Sequence, residues 1–573
     1  MHPRLNTGRS VVRWIAAIVV VAVLLDNSWT PGVAASPKAQ SRIDPALFAQ
    51  ATAQPNALFD VIVQATPQKT KLARGAKADT TERAGKAVLR SGGTPRKNLG
   101  IVGAASATVR GGQLLGLAND PDVTYIYADV KLSAKFDPIA GAGLVTQAGA
   151  REVNAPAVWA QYNVIGRGVG VAVLDSGIYA HPDLARRIVA AIDLTTPTPT
   201  VSPVPLGDAG GHGTHVAGLI AGDGSASGGA FTGVAPGANV IDVRVINANG
   251  GSSVSTVLAG LQWVLQNRAT YNIRVANLSL GAPESTSYTL SPLSAAVEVL
   301  FFAGVNVIVS AGNSGPGTGT IAVPGDDPFV ITVGAVDDNG TPGLGDDSVP
   351  TWSSCGPTAH DNLAKPDVAA PGRRMVSLRS PGSALDQLLP DRRVTAPGAS
   401  SADYFMLSGT SMAAPMVAGA VALLLERDPT LNTRQVKRRL MSTAAPLGFG
   451  TSFTRGAGLV DALAAVASTD STAWSDTSRP SDGFARMVYP LIFGQPLAWD
   501  SLSFNGGVDS MGVPWANVNW TDITWDSVTW NDITWDSITW EGITWDSVGQ
   551  QDITWDTTFD PLSSSGPGWS PLN

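Results

Sequence analysis

The chain has a single cysteine, Cys355, among 573 residues. No intrachain disulfide can form, so a fold of this size must be held by a packed core. The lone thiol reads as a small buried apolar group. Charged residues are scarce at 15%, and the formal net charge is −8. That sign excludes nucleic-acid binding through a basic face. Histidine is rarer still, with five in the chain. Long apolar runs are missing too: outside Trp14–Leu25, no stretch approaches the length that crosses a bilayer.

What is present begins with Arg4, Arg9 and Arg13, followed by Trp14–Leu25 and then Val33-Ala34-Ala35. A basic start, a short apolar run and small residues near a cut describe a secretory signal peptide over 1–35, and hence a secreted protein. An uncleaved anchor is the alternative, disfavoured by the shortness of the run. The length argues for two or three domains.

Residues 36–56 are polar and rich in Ala, Pro and Gln. Phe59–Ala65 alternates as a strand, 78–91 suits a helix ended by Gly92-Gly93, and Ile101–Arg110 reads as a strand. Gln113–Asn119 suits a short helix and Val123–Ala128 a strand. The order β-α-β-α-β, with room for a split middle strand, predicts a small α/β sandwich.

After residue 130 the texture changes. Gly168–Leu174 is continuously apolar, the mark of a strand buried on both faces of a parallel sheet. Further strands are expected at 240–245, 275–280, 305–310 and 330–333, with helices at 212–221, 256–266 and 293–302. The alternation predicts an α/β doubly wound, mostly parallel sheet, whose ligands sit beyond the carboxyl ends of its strands. Asp175, Ser279 and Asn313 fall at or just past such ends. Residues 195–206, rich in Pro and Thr, read as a surface loop.

One stretch carries more information than the rest: Gly409-Thr410-Ser411-Met412-Ala413-Ala414-Pro415. Pro415 fits the first turn of a helix, and Val417–Leu425 is apolar on every face, as in a buried helix. Ser411 is then either an N-cap or a nucleophile beside helix-terminal N–H groups. Asp175 at a strand end, His212 at a helix start and Ser411 are the parts of a relay in which serine attacks, histidine carries the proton and aspartate orients.

The full set of motifs resembles the subtilisin-like serine peptidases over roughly residues 150–468. It comprises Asp175-Ser176-Gly177, His181-Pro182-Asp183-Leu184, Gly211-His212-Gly213-Thr214-His215, Asn277-Leu278-Ser279-Leu280-Gly281 and Ala311-Gly312-Asn313. Ser354-Cys355-Gly356-Pro357, Lys365-Pro366-Asp367-Val368, Ala370-Pro371-Gly372 and Gly409–Pro415 complete it. The order Asp, His, Ser is that of subtilisins. The resemblance implies Asp175 as orienting carboxylate, His212 as base, Ser411 as nucleophile and Asn313 as oxyanion donor. It implies His215 as a structural histidine, Ser279-Leu280-Gly281 as an edge pairing with substrate backbone, and Ser310, Ala311 and Gly312 as lining of the primary specificity pocket.

The same resemblance implies a zymogen: an inhibitory ferredoxin-like propeptide over 36–135, a peptidase domain over 136–470, and a cut somewhere in 130–152. A permanent accessory domain is the rival reading of the first unit. No cofactor or metal is implied for catalysis; the Gly/Ser-rich stretch 222–232 departs from the family's calcium loop, so structural calcium stays open with no motif that calls for it. One residue fewer separates Asp175 from Asp183 than in well-known members, and Cys355 stands where a basic residue is common. Protein or peptide substrates, the propeptide as intramolecular inhibitor, and a monomer are expected.

Residues 471–573 differ in kind. Nine pentads over 513–557 each open with Val or Ile, and Trp follows two residues later in all but one, where Gln550 stands. Period five keeps no face of a straight strand or helix. A short solenoid, a docked ribbon and a disordered tail stay open, as do binding to cell-surface material, self-packing and loss on maturation. Two rivals to a hydrolase also stay open: an inactive adhesin on this scaffold, and an acyl transferase or peptide cyclase using the same residues.

Overall fold

The alternating segment from Phe59 forms β1 (Leu58–Ala65), with Val61, Ile62 and Val63 buried. The computed structural model describes residues 37–65, 80–134, 149–283, 286–341, 343–474, 478 and 480–484. The expected signal peptide, most of the expected processing junction and the Trp pentads lie outside these residues.

The N-terminal unit continues with α1 (Thr80–Arg90), β2 (Thr94–Leu99), β3 (Ala104–Arg110), α2 (Leu114–Ala118) and β4 (Val123–Ala128). Its strands form an antiparallel sheet in the order β2-β3-β1-β4, a βαββαβ sandwich. The strand expected over 101–110 starts later, at Ala104, because a 3-10 turn occupies Gly100–Val102. The preceding strand, β2, was invisible to periodicity since most of its Thr-Pro-Arg-Lys-Asn residues are not apolar. After β4 the chain leaves this sheet as β5 (Lys131–Ala134).

In the larger unit β6 (Gly170–Asp175) is buried throughout, as its apolar run predicts. There follow β7 (Ile188–Asp193), β8 (Thr200–Ser202), α3 (His212–Ala221), β9 (Asn239–Arg244), β10 (Gly251–Ser253), α4 (Val254–Asn267), β11 (Ile273–Leu278) and β12 (Leu280–Pro283). The chain then forms α5 (Pro292–Phe302), β13 (Asn306–Ser310), β14 (Ala322–Val323), β15 (Ile331–Val336), β16 (Val368–Pro371), α6 (Thr410–Arg427) and α7 (Thr433–Thr443). Eight strands join in the order β16-β15-β13-β11-β6-β9-β7-β8, and only β7–β8 is antiparallel. The segment 195–206, expected to be a loop, thus supplies an edge strand. Its Pro-rich composition masked a short pairing at a sheet margin, where Pro is tolerated.

Alternation along β6 explains the two layers of helices. Val171 and Val173 pack with residues of α3 and α6, whereas Ala172 and Leu174 pack with α4 and α5. The N-terminal unit adds Ile62, Leu99, Ile101 and Tyr127 to the second layer, so its sheet rests on α4 and α5. Side chains cross that contact: Lys97 Nζ donates to Thr256 Oγ1 at 2.7 Å, and Gln262 accepts from Ile101 N at 3.1 Å. Asp129 accepts from Ser255 N at 2.8 Å, placing a carboxylate at the N-terminus of α4 where the dipole favours it.

α6 runs through the core, with every residue from Thr410 to Leu425 buried. It begins at Thr410, so Pro415 is the sixth helical residue and not in the first turn as its sequence context suggested. The helix runs on unbroken to Arg427, and the carbonyl that Pro415 cannot serve finds another donor, described below.

Candidate active site

Asp175 ends β6, next to the point where successive strands begin to be added on the other side of the sheet. Its carboxylate accepts from His212 Nδ1 at 2.8 and 3.0 Å, and both residues are buried. His212 opens α3, and Gly213 follows because a Cβ there would lie 2.3 Å from the Gly177 carbonyl and 3.1 Å from Asp175 Cβ. The absent side chain lets the helix start press against the strand end.

Asp208 holds that start. It accepts from Gly211 N at 2.7 Å, from Thr214 N at 2.9 Å and Oγ1 at 2.7 Å, and from Ser176 Oγ at 2.9 Å. Ser176 Oγ in turn accepts from Gly213 N at 2.9 Å. Burial raises the Asp208 pKa, although these hydrogen bonds oppose the rise. For His212, burial lowers the pKa, but the charge and hydrogen bond of Asp175, with the charge of Asp208, outweigh it and leave the imidazole above its ordinary value. His215 goes the other way. Burial, with the charge of His212 adding to it, lowers its pKa to about 3, and its Nε2 donates to the Met375 and Phe405 carbonyls. A neutral imidazole tying two backbone segments is a structural group.

Ser411 is the second residue of α6. Its hydroxyl donates to the Ser279 carbonyl at 3.1 Å, while Ser279 Oγ donates to the Ser411 carbonyl at 2.9 Å. Across from it, Asn313 Oδ1 accepts from Thr410 N at 3.0 Å and Thr410 Oγ1 at 2.9 Å. Thr410 Oγ1 accepts from Gly312 N at 3.1 Å. With its oxygen committed, the Asn313 amide is oriented, and its buried Nδ2 has no protein partner. An oriented, unspent N–H pair next to a helix-borne serine is a donor awaiting an acceptor. Gly312 sits at φ 106°, and a Cβ there would meet Ser354 Oγ at 2.8 Å, so glycine is what lets the turn between β13 and Asn313 close.

Ser310 and Ala311 are fully buried at the end of β13; Ala311 N donates to the Val333 carbonyl. Leu280 and Gly281 lie on β12, which pairs on one side with β14. On its other side β12 pairs antiparallel with β5, setting Leu280 opposite Ala134 and Gly281 opposite Ser133. The far edge of β5 pairs antiparallel with β10, with Ser253 opposite Lys131 and Gly251 opposite Ser133. A strand from the N-terminal side of the chain therefore fills the slot between β10 and β12, and β12 begins one residue after Ser279.

Sequence reasoning singled out Asp175, His212, Asn313 and Ser411, and the fold brings them from four different elements to one end of the sheet. It missed Asp208, Thr410 and the β10 edge. Asp208 had a local signal, four residues before His212, and Thr410 adjoins Ser411; β10, polar and three residues long, had none. Among the described residues, no group of three or more His, Cys, Asp and Glu is arranged to hold a metal ion.

The model of the subtilase family matches residues 166–466. Serine protease AprX of Bacillus subtilis (strain 168) is 43% identical over 281 residues, which cover 48% of this chain and 61% of AprX. Subtilisin E of the same organism is 34% identical over 382 residues, covering 66% of this chain and 84% of that protein. Among solved structures, fervidolysin from Fervidobacterium pennivorans, described as a keratinolytic enzyme related to subtilisin, overlays with a TM-score of 0.55 at 24% identity. That overlay covers 72% of this chain and 61% of fervidolysin, and its likeness is one of fold.

Proposed function

Because the chain belongs to the subtilase family of serine endopeptidases, we propose that it is a secreted peptidase made as a self-processed zymogen, with Asp175, His212 and Ser411 as its catalytic triad. The observation that carries the assignment is the buried Asp175–His212 pair at the same sheet end as Ser411, with Asn313 Nδ2 held and unspent beside it. For attack, the Ser411 hydroxyl leaves the Ser279 carbonyl and gives its proton to His212 Nε2. Oγ bonds to the substrate carbonyl carbon, and Asp175 stabilises the imidazolium. Asn313 Nδ2 and the Ser411 backbone N–H donate to the oxyanion, an interaction that exists only once negative charge has formed. His212 then returns the proton to the leaving amine, and water repeats the sequence to free the acyl-enzyme.

The zymogen reading is supported by β5. A substrate backbone binding an edge by β-addition would occupy the slot that Lys131–Ala134 fills. The N-terminal unit, seated on α4 and α5, thus acts as propeptide and blocks the site with its own last strand. The cut falls in the bonds that follow Ala134, and Ser310, Ala311 and Gly312 line the pocket for the residue before it. Export rests on the basic and apolar segment within 1–35.

Expression of the wild-type chain beside Ser411→Ala tests both parts. The wild type is expected to shed the N-terminal unit and to be labelled by a fluorophosphonate, and the variant to stay full length and unlabelled. Equal processing of the two would defeat self-maturation; an unlabelled wild type would defeat the peptidase assignment.

A further inference from the structure

Beyond the peptidase domain a short piece of the C-terminal region, Ser481–Phe484, sits in an unusual place. Ser481 is fully buried, and the Glu298 carboxyl of α5 accepts from both its donors: Ser481 N at 2.8 and 3.0 Å and Oγ at 2.7 Å. Burial, reinforced by the charge of Asp327, raises Glu298 well above its ordinary value. Phe484 N donates to Ser481 Oγ at 3.2 Å, and the Phe484 ring lies 4.9 Å from Phe302 at the end of α5.

The other side of the same segment faces the N-terminal unit. Gln64 Nε2 of β1 donates to the Gly483 carbonyl at 3.4 Å, and Tyr127 of β4 donates to Gln64 Oε1 at 3.2 Å. Gly483 fits between the units because a Cβ would lie 2.9 Å from Ala295 Cβ and 3.4 Å from the Tyr127 hydroxyl. Phe484 packs into the apolar layer that Ile62, Tyr125 and Tyr127 share with Ala295, Ala296 and Val299. The segment touches both units and is covered by both.

We infer that Ser481–Phe484 is a third part of the surface that binds the N-terminal unit, so that this unit locks the root of the C-terminal region and frees it on leaving. The inference rests on the reading of residues 37–134 as a propeptide that departs. Binding couplings are reciprocal: whatever the segment adds to retention of the N-terminal unit, that unit adds to the order of the segment. Upstream anchors do not depend on the N-terminal unit. Trp474 packs on Lys437 at 4.1 Å, and Arg439 donates to the Asp470 carbonyl, both on α7. Departure should therefore loosen Ser481–Phe484 and leave 470–474 in place.

The test uses the full Ser411→Ala chain with a site for a sequence-specific protease inserted between 139 and 146, so that the N-terminal unit can be severed but stays docked. Its dissociation rate is then followed in the parent, in Phe484→Ala, and in a chain ended at Ser478. Both tail variants should release the unit at least tenfold faster, and removal of the unit should speed hydrogen exchange at Ser481 and Phe484 tenfold while Trp474 keeps its protection. Release within twofold of the parent in both variants, or unchanged exchange, overturns the inference. Fluorophosphonate labelling of the Ser411 chain with the unit attached separates the two readings. Rapid labelling defeats the inhibitory role of the unit without touching the docking result. Blocked labelling with unaltered release defeats the docking inference and leaves the zymogen reading standing.

Discussion

Ser279 and Ser411 exchange hydrogen bonds, each hydroxyl donating to the other's carbonyl, at 2.9 Å from Ser279 and 3.1 Å from Ser411. The cause lies four residues on. Pro415 has no N–H, so the Ser411 carbonyl lacks its helical partner, and Ser279 Oγ supplies the missing donor. Asn277 Nδ2 donates to Ser279 Oγ at 3.0 Å and so directs that hydroxyl proton toward Ser411. The end of β11 and the start of α6 are thereby joined at Ser411, the proposed nucleophile.

Ser279→Ala should leave the buried Ser411 carbonyl unpaired, at a cost of about 1–3 kcal/mol. Urea unfolding is expected to show that loss, and kcat to fall more than KM rises as Ser411 loses its position. Ser279→Thr restores the donor and should recover most of both. An Ala variant as active and stable as the parent would remove the positioning role.

Asn313→Ala should lower kcat by about 10²–10³ with little change in KM, since the amide acts on charge formed after binding. That magnitude comes from the matching donor of a subtilisin, a relative of this chain. Thr410→Val removes the hydroxyl that fixes the Asn313 oxygen, and a smaller loss in kcat is expected. Steady-state kinetics on a peptide substrate decide both.

The acid limb of kcat/KM should lie above the ordinary histidine range of about 6.5, because His212 must be neutral to take the Ser411 proton and its pKa is raised. As pH falls through that pKa the imidazole binds its proton and activity is lost. Asp208→Asn takes away one of the two charges that favour the imidazolium, so the limb should move to lower pH. A pH–rate profile that does not move would show that Asp208 acts only by holding the start of α3.

A buried acidic group should make the fold less stable toward alkaline pH. Burial, with the charges of Asp347, Asp338 and Asp346, raises Glu152 from 4.5 to about 7. Asp347 rises from 3.8 to about 6, by burial and then the charges of Asp338, Asp346 and Asp337, the last paired with Arg373 and Arg374. Between each ordinary value and its raised value the unfolded chain has released a proton that the folded chain keeps, so stability falls as pH rises through that window. The contribution is complete below 4.5 for Glu152 and lost above about 7. Glu152→Gln in the Ser411→Ala chain should raise Tm more at pH near 8 than near 4. Equal shifts at both ends would rule this out.

Much of the fold was legible from local patterns. The runs that become β6 and β13 are largely apolar because both their faces are covered, and α3 matches its predicted bounds of 212–221. β7 and β16 went unseen, although β16 is buried throughout and β7 from Ala190 onward. Their Ala and Pro content gives no alternation to read. The four residues proposed for catalysis were legible as motifs, each carrying its turn or helix start in its neighbours.

Sequence by itself determined these elements, the motif order and the absence of any disulfide, since each follows from residues a few positions apart. Only tertiary structure decided that Ser279 serves Ser411 across 132 residues, that Thr410 fixes Asn313 across 97, and that Ser481 lies in the grip of Glu298 across 183. Such pairings depend on the register and packing of distant elements. A hydroxyl or amide in sequence carries no sign of which distant carbonyl or carboxylate the fold will set before it.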